Sequence, residues 1–336
     1  MIQFSIVTVV RNDLEGLRKS RASLDAQIYK NWQHIIVDGA STDGTVEFIS
    51  TLPQNNTTFI SEPDSGIYSA MNKAWKIAQR DSYVYYLNAR DIFATSESLL
   101  FASATFDQES KSGWGCTTHE EIQKNGEGWV CKLVSPPSIA NQLYAFGYRS
   151  HQGVIMKASF IRELGGFNEN YRLAADWDLI AKALQKEDPI SWNYPLGRFE
   201  LGGESSLRLL EAHLELKEIR KELLEQSLRK RFADDVWSAV YLRELGHKNY
   251  LTKIISFIFP TQKAVNAHKN NLGIRKFMTL IKSQRKYSGK YKVIGFLLLP
   301  LRVFLVKREK FREKRILTLQ KILGIQPYLN LSQKSL

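Results

Sequence analysis

The sequence predicts an α/β fold, a mainly parallel twisted sheet flanked by helices, followed by a basic and mainly helical C-terminal extension. Three observations carry this reading. Residues 1–100 alternate apolar, strand-like runs with stretches of helical spacing, as βα units do. The runs at residues 35–38 and 83–87 are short and continuously apolar, as strands covered on both faces are. Charge also divides along the chain: residues 1–203 hold 19 Lys and Arg against 23 Asp and Glu, a net of −4, whereas residues 204–336 hold 28 against 11, a net of +17.

Taken in order, Phe4-Ser5-Ile6-Val7-Thr8-Val9-Val10 is the opening strand. The second strand, at 35–38, runs into the turn Gly39-Ala40-Ser41-Thr42-Asp43-Gly44, and residues 46–52 then have helical spacing. Ser61-Glu62-Pro63-Asp64-Ser65-Gly66-Ile67-Tyr68 leads into a helix over 68–78 that contains Met71-Asn72-Lys73, with Gly66 permitting a tight turn. The strand at 83–87 ends in Asn88-Ala89-Arg90-Asp91. Gly113-Trp114-Gly115-Cys116-Thr117 and Trp129-Val130-Cys131-Lys132-Leu133 read as two strands flanking a Gly/Asn turn, and Pro136-Pro137 breaks the chain after them. Residues 154–203 return to a strand, a helix near 178–185 and a strand over 192–201. The character changes at Gly202-Gly203-Glu204-Ser205, which divides the chain into domains 1–205 and 206–336. Helical spacing with many i,i+4 charge combinations marks 207–228.

At 336 residues the chain can bury a full core with room for an appendage. Cys116 and Cys131 are too few for a disulfide framework, and no His/Cys cluster signals zinc. With no secretory signal, the expected compartment is the cytoplasm. After the first strand stands Val10-Arg11-Asn12-Asp13-Leu14-Glu15, which excludes the Gly-x-Gly-x-x-Gly turn of a dinucleotide-dependent oxidoreductase. The basic tail lacks the interleaved aromatics of a single-strand groove, so no nucleic-acid partner is expected. The most apolar window, residues 293–306, holds Pro300 and Arg302 and falls short of the ~20 residues of a spanning helix. Lys286, Lys290 and Lys292 precede it, and Lys307, Arg308, Lys310, Arg312, Lys314 and Arg315 follow. Two readings stay open: an interfacial element docking on an anionic membrane surface, peripheral on the inner face of the cell membrane, or a buried helix with a basic outer face.

Carboxylates at the ends of consecutive strands stand where an open α/β sheet places its ligand. Asp38 closes the second strand, Asp64 follows the third segment, and Asp91 ends the motif after residue 87. Farther on, Gly165-Gly166-Phe167-Asn168-Glu169 precedes Asp176-Trp177-Asp178-Leu179. Together these motifs resemble those of inverting, GT-A type family 2 glycosyltransferases, in the branch that builds bacterial surface polysaccharides on lipid carriers. The resemblance covers about residues 4–205.

It implies a nucleotide-sugar donor in the crevice at the strand ends. Asp38 would accept a hydrogen bond from the base, and a carboxylate suits the uracil imide, so a UDP-sugar is the preferred donor. Asp43 is assigned to helix capping instead. Thr8 and Arg11 would lie on the same rim; Arg11 faces the base or diphosphate, or is an ordinary surface arginine. Asp64, Gly66, Asn72 and Lys73 would line the nucleotide side, with Asn88 and Arg90. Asp91 matches the family's metal ligand, implying Mn²⁺ or Mg²⁺. Arg90 stands where the family has a first aspartate. Either it pairs with the diphosphate, or the chain is a weakened, nucleotide-sugar-binding pseudo-enzyme. Asp176 matches the general base that deprotonates the acceptor hydroxyl, and Asp178 is expected to cap the helix that follows. His151 is either near the acceptor or diphosphate or a satisfied core histidine. Gly202-Gly203-Glu204-Ser205-Ser206 resembles a segment close to the donor, or is the domain linker. The implied activity is hexosyl or N-acetylhexosaminyl transfer to a lipid-linked saccharide.

Overall fold

A computed structural model describes residues 1–109, 112–125, 128–134, 151–200 and 208–223. The Pro136-Pro137 break, the 202–206 segment, and the apolar window with its flanking cations lie outside the described residues.

β1 (Phe4–Val10) is buried along its whole length. β2 (Trp32–Asp38) and β4 (Tyr83–Tyr86) run parallel to it on either side, and β3 (Thr57–Ser61) lies outside β2, again parallel. The crossovers are helical: α1 (Leu14–Asp25), α2 (Thr45–Ser50) and α3 (Ile67–Ile77). β5 (Ile92–Phe93) and α4 (Ser98–Gln108) then lead to β6 (Trp114–Cys116). β9 (Val154–Lys157) enters antiparallel between β4 and β6, and β10 (Ile190–Ser191) pairs parallel with β6 at the edge. The seven strands therefore run β10-β6-β9-β4-β1-β2-β3. This is the α/β arrangement expected, with one reversed strand that the sequence pattern did not reveal.

A second sheet, β5-β11-β7-β8, joins β11 (Gly197–Glu200) to the hairpin of β7 (His119–Asn125) and β8 (Gly128–Val134). Two strand expectations are corrected here. The run around Trp114 belongs to the large sheet, and the partner of β8 is β7. The sequence of β7, His119-Glu120-Glu121-Ile122-Gln123-Lys124-Asn125, is too polar to announce a strand by apolar content. The expected 192–201 strand is shorter, β11 starting only at Gly197 after the separate two-residue β10 that ends at Ser191. Pro195 lies between them and has no N–H for a ladder.

Alternation along β1 puts Phe4, Ile6, Thr8 and Val10 on one face. Phe4 and Ile6 pack with Leu24, Trp32, Tyr83, Tyr85 and Phe106, while Val10 packs with Leu17, Ile36 and Ile49. This is the face covered by α1. Thr8 sits within it, fully buried, and that corrects its expected place on the rim. Its hydroxyl donates to the Leu87 carbonyl at 2.7 Å, so His34 Nε2, 2.9 Å away, is the donor to Thr8. His34 Nδ1 then faces Arg21 Nη1 at 3.3 Å as an acceptor. Burial first, and the Arg21 charge second, bring the His34 pKa down to about 3.

α5 (Ala158–Glu163), α6 (Ala175–Lys186) and α7 (Leu209–Leu223) complete the described elements. The chain divides into two units, Met1–Leu143 with Tyr148–Ile219, and Tyr144–Gly147 with Arg220–Leu336. The sheets and the site below belong to the first. Among the described residues no helix is long and apolar enough to cross a membrane.

Candidate active site

Parallel register brings Val10, Asp38 and Ser61 abreast at the carboxyl ends of β1, β2 and β3. Asp38 is fully buried there. Its Oδ2 accepts from the Ser41 backbone N–H at 3.0 Å and from Ser61 Oγ at 2.7 Å. Its Oδ1 has no hydrogen-bond partner. A β-carbon added to Gly39 would stand 2.8 Å from Asp64 Oδ2 and 3.2 Å from Arg11 Cδ, so Arg11 and Asp64 flank this strand end. Arg11 is exposed on the rim, and Asp64 Oδ1 accepts from Gly66 N–H at 2.9 Å. Backbone strain gathers here too. The non-glycine residues at positive φ among the described ones are Asn12, Ala40 and Arg90, each just past the end of β1, β2 or β4. Such conformations cluster where a fold holds a functional loop.

The second half of the site follows from the reversed strand. Because β9 runs antiparallel to β4, its amino end meets the carboxyl end of β4. A single 3₁₀ turn, His151–Gly153, precedes β9 and puts His151 beside Asn88. Asn88 Nδ2 and His151 Nε2 are 3.2 Å apart, and His151 Nδ1 is 3.3 Å from Asp176 Oδ2. Tyr68 at the start of α3 donates its hydroxyl to Asp176 Oδ1 at 3.1 Å, and the Trp177 backbone N–H donates to the same oxygen at 2.9 Å. A continuous polar row, Asn88–His151–Asp176–Tyr68, thus links β4, β9, α6 and α3. Asp176 is 3 % exposed within it.

Asp91 lies next to this row. Burial pushes its carboxyl up to about 7; the nearby His151, a Gln152 side-chain hydrogen bond and the Asn88 backbone act in the opposite direction. Its Oδ2 is buried without a partner. Asp38 Oδ1 and Asp91 Oδ2 are the two unpaired buried carboxylate oxygens among the described residues, and both stand at strand ends. Leaving a buried acceptor unsatisfied costs about 1–3 kcal/mol, so each is a place where a ligand's donor or a cation is favoured. Asp91 suits a hard divalent cation as one carboxylate ligand. Among the described residues no three His, Cys, Asp or Glu side chains converge on such an ion, so with Asp91 as its ligand the shell would be completed by water or a bound ligand's oxygens.

Other expected residues are placed differently. Asn72 is buried in a clasp between α3 and the Gly165-Gly166-Phe167 turn. Its amide donates to the Phe167 carbonyl at 2.9 Å and Glu169 Oε1 at 2.8 Å, and accepts from Phe167 N and Trp75 Nε1, both at 2.9 Å. All four hydrogen-bonding positions of the carboxamide are used, which corrects its expected role as a donor contact. Gly166 closes this clasp at φ +73°, where a β-carbon would stand 2.7 Å from Asn72 Oδ1. Lys73 ties down the loop before α3, reaching the Pro63 carbonyl at 3.1 Å and Glu62 at 2.8 Å. Gly66 is the N-cap of α3 at φ +137°. Arg90 binds Asp13, the N-cap of α1, in bidentate fashion at 2.6 and 3.1 Å. Asp43 is structural as expected, receiving Leu14 N–H at 3.0 Å and Thr45 Oγ1 at 2.5 Å. Asp178 does not cap α6. It lies inside the first turn, 2.7 Å from Lys182. Tyr68 and Ser61 were within the motif string, yet only the geometry shows that they hold the two aspartates.

Residues 5–158 match the family model "Glycosyl transferase family 2". An uncharacterized glycosyltransferase of Mycobacterium tuberculosis is 29% identical over 210 residues, 61% of this chain and 77% of that protein. A PGL/p-HBAD biosynthesis glycosyltransferase of the same species is 23% identical over 182 residues, 52% of this chain and 67% of that one. Among solved structures, S. aureus TarS 1–349 in complex with UDP-GlcNAc superposes with a TM-score of 0.54 at 17% identity, covering 96% of this chain and 89% of that one. Another TarS 1–349 crystal structure gives 0.52, also at 17%. At that identity the likeness concerns the fold, and it is the GT-A arrangement. Residues 5–158 thus carry a domain that matches the family 2 glycosyltransferases.

Proposed function

We propose that this glycosyltransferase moves a hexosyl or N-acetylhexosaminyl group, with inversion, from a UDP-sugar to a hydroxyl of a lipid-linked saccharide in cell-surface polysaccharide synthesis. The observation that carries the proposal is the buried row Asn88–His151–Asp176–Tyr68 beside two unpaired carboxylate oxygens. Inversion in one displacement needs a single carboxylate to accept the acceptor's proton as its oxygen attacks the anomeric carbon. Asp176 suits that task. Tyr68 and the Trp177 amide hold Oδ1, and His151 faces Oδ2, which keeps the carboxylate in one orientation. Asp38 Oδ1 suits the imide N–H of uracil, and Ser41 and Ser61 fix its other oxygen. Mn²⁺ or Mg²⁺ on Asp91 would neutralise the departing diphosphate. Support for the donor class comes from TarS, whose fold is shared and which was crystallised with UDP-GlcNAc.

The test is release of nucleoside diphosphate from a panel of nucleotide-sugars with lipid-linked saccharides, with and without chelator. Turnover of a UDP-sugar that chelator stops is the expected result. Tighter binding of GDP than UDP in calorimetry overturns the donor assignment, and full activity in chelator overturns the metal. Donor binding with no turnover for any acceptor makes the chain a pseudo-enzyme.

A further inference from the structure

The backbone N–H groups of the segment leading into α6 are held by a side chain from another helix. Ala174, the N-cap of α6, offers no side-chain cap. A single carboxylate from elsewhere supplies the need. Glu215, in the middle of α7, accepts from Arg172 N at 3.0 Å through Oε1, and from Leu173 N at 2.8 Å and Ala174 N at 3.0 Å through Oε2. Three consecutive amides thus converge on one side chain about forty positions away in sequence, and Asp176 follows two residues after the last of them. A carboxylate at a helix amino terminus also meets the positive end of its dipole. Both Asp176 and Glu215 lie beyond residue 158, where the family match ends.

The geometry points to Glu215 as a positioning residue for the transfer reaction: its carboxylate fixes the backbone of residues 172–174 and thereby the first turn of α6, which carries Asp176. This rests on the reading of Asp176 as the base. It also makes the helix after the catalytic motifs part of the catalytic unit. Loss of the carboxylate frees three N–H groups, and the first turn of a helix whose cap is lost frays. Asp176 would then keep its side-chain partners only part of the time.

Glu215→Gln, nearly isosteric, presents an amide N–H to one of the three donors, and Glu215→Ala removes all three bonds. The assay is UDP release from UDP-N-acetylglucosamine, to water or to an added lipid-linked saccharide, counted per UDP-binding site from calorimetric stoichiometry. Glu215→Gln should lower kcat about 10-fold or more with donor KM changed less than 2-fold. Its effect should be less than multiplicative with Tyr68→Phe, since both act by orienting the same carboxylate. Asp176→Asn is run alongside: turnover there removes the base and leaves the Glu215 contact standing. A kcat per site equal to wild type in Glu215→Gln, or full multiplicativity with Tyr68→Phe, overturns the positioning role. Hydrogen exchange on the unmodified protein is the arm independent of folding in the variants and of the donor. The amide of Arg172, whose side chain is exposed, should be protected, and exchange at the rate of a free peptide overturns the contact itself.

Discussion

A carboxylate proposed as a base needs a fixed direction, and the surroundings of Asp176 provide it. Oδ1 accepts from Tyr68 and Trp177, and Oδ2 stands 3.3 Å from His151. Asp176→Asn keeps the shape and loses the proton acceptor. Transfer should therefore fall by about 10²–10⁴ while UDP binding by calorimetry stays within a few fold; turnover like that of the wild type would remove Asp176 from the role. At His34 the argument concerns stability. Its pKa is about 3 in the folded chain and about 6.5 when free, so between these values the unfolded state holds a proton that the folded state refuses. Stability contributed by the neutral ring is complete above pH 6.5 and declines as pH falls toward 3, by up to about 1.4 kcal/mol per pH unit. His34→Gln should flatten this limb, and urea midpoints at pH 7 and 4.5 measure it. An unchanged slope would mean that another group carries it. At this scale the sequence singled out Asp38 and Asp176 by residue type, and both are buried and hydrogen-bonded at the end of a strand and the start of a helix. It was silent where a polar side chain is consumed by the fold: Thr8 and Asn72 look like contacts in a motif, and only the third dimension shows a carbonyl or a clasp using them.

Elements meet at the site through a few polar joints, and the Asn72 clasp is the clearest of them. It ties α3, which brings Tyr68, to the turn at Phe167, and the rings of Tyr68 and Phe167 stack at 5.6 Å. Asn72→Ala leaves Phe167 N–H, its carbonyl and Trp75 Nε1 without this partner in a buried place. The cost should be about 2 kcal/mol or more, read from urea unfolding. Gly166→Ala should damage the same joint by another route, since its φ is positive and the new methyl meets Asn72 Oδ1. A loss below 0.5 kcal/mol in both would show that the joint is dispensable. Up to β4 the alternation of apolar runs and helical spacing disclosed β1, β2, α2, α3 and β4, but not α1 or the half-exposed β3. Beyond β4 the signal weakens for physical reasons. β9 is antiparallel and short, β7 is polar because it lies in a small second sheet, and strands of two residues such as β5 and β10 are set by their neighbours. That uncertain half is where His151 arises, so its place beside Asn88 and Asp176 could not be read from spacing.

For the whole molecule the informative quantity is the separation of charge, −4 before residue 204 and +17 from there on. A mildly acidic first part accords with the cation proposed between its own carboxylates and the donor's phosphates. If the acceptor is carried by a lipid, the enzyme gains by docking at an anionic leaflet, where each basic residue contributes about 1 kcal/mol before screening. Lys286, Lys290 and Lys292 precede the apolar window, the six cations of residues 307–315 follow it, and Phe296-Leu297-Leu298-Leu299 offers side chains for shallow insertion. The expected outcome is co-sedimentation of the full chain with vesicles rich in anionic lipid, weakened by salt because screening acts on exposed charges. Replacing the six cations between Lys307 and Arg315 with glutamine should reduce this binding at least tenfold while leaving UDP affinity unchanged, because the residues proposed to hold the nucleotide all precede residue 200. Full-length protein that ignores anionic vesicles at low salt would refute the docking role. The positive charge would then have to face another anionic partner, and the diphosphate or anionic saccharide of the acceptor itself is the nearest one the proposed chemistry provides.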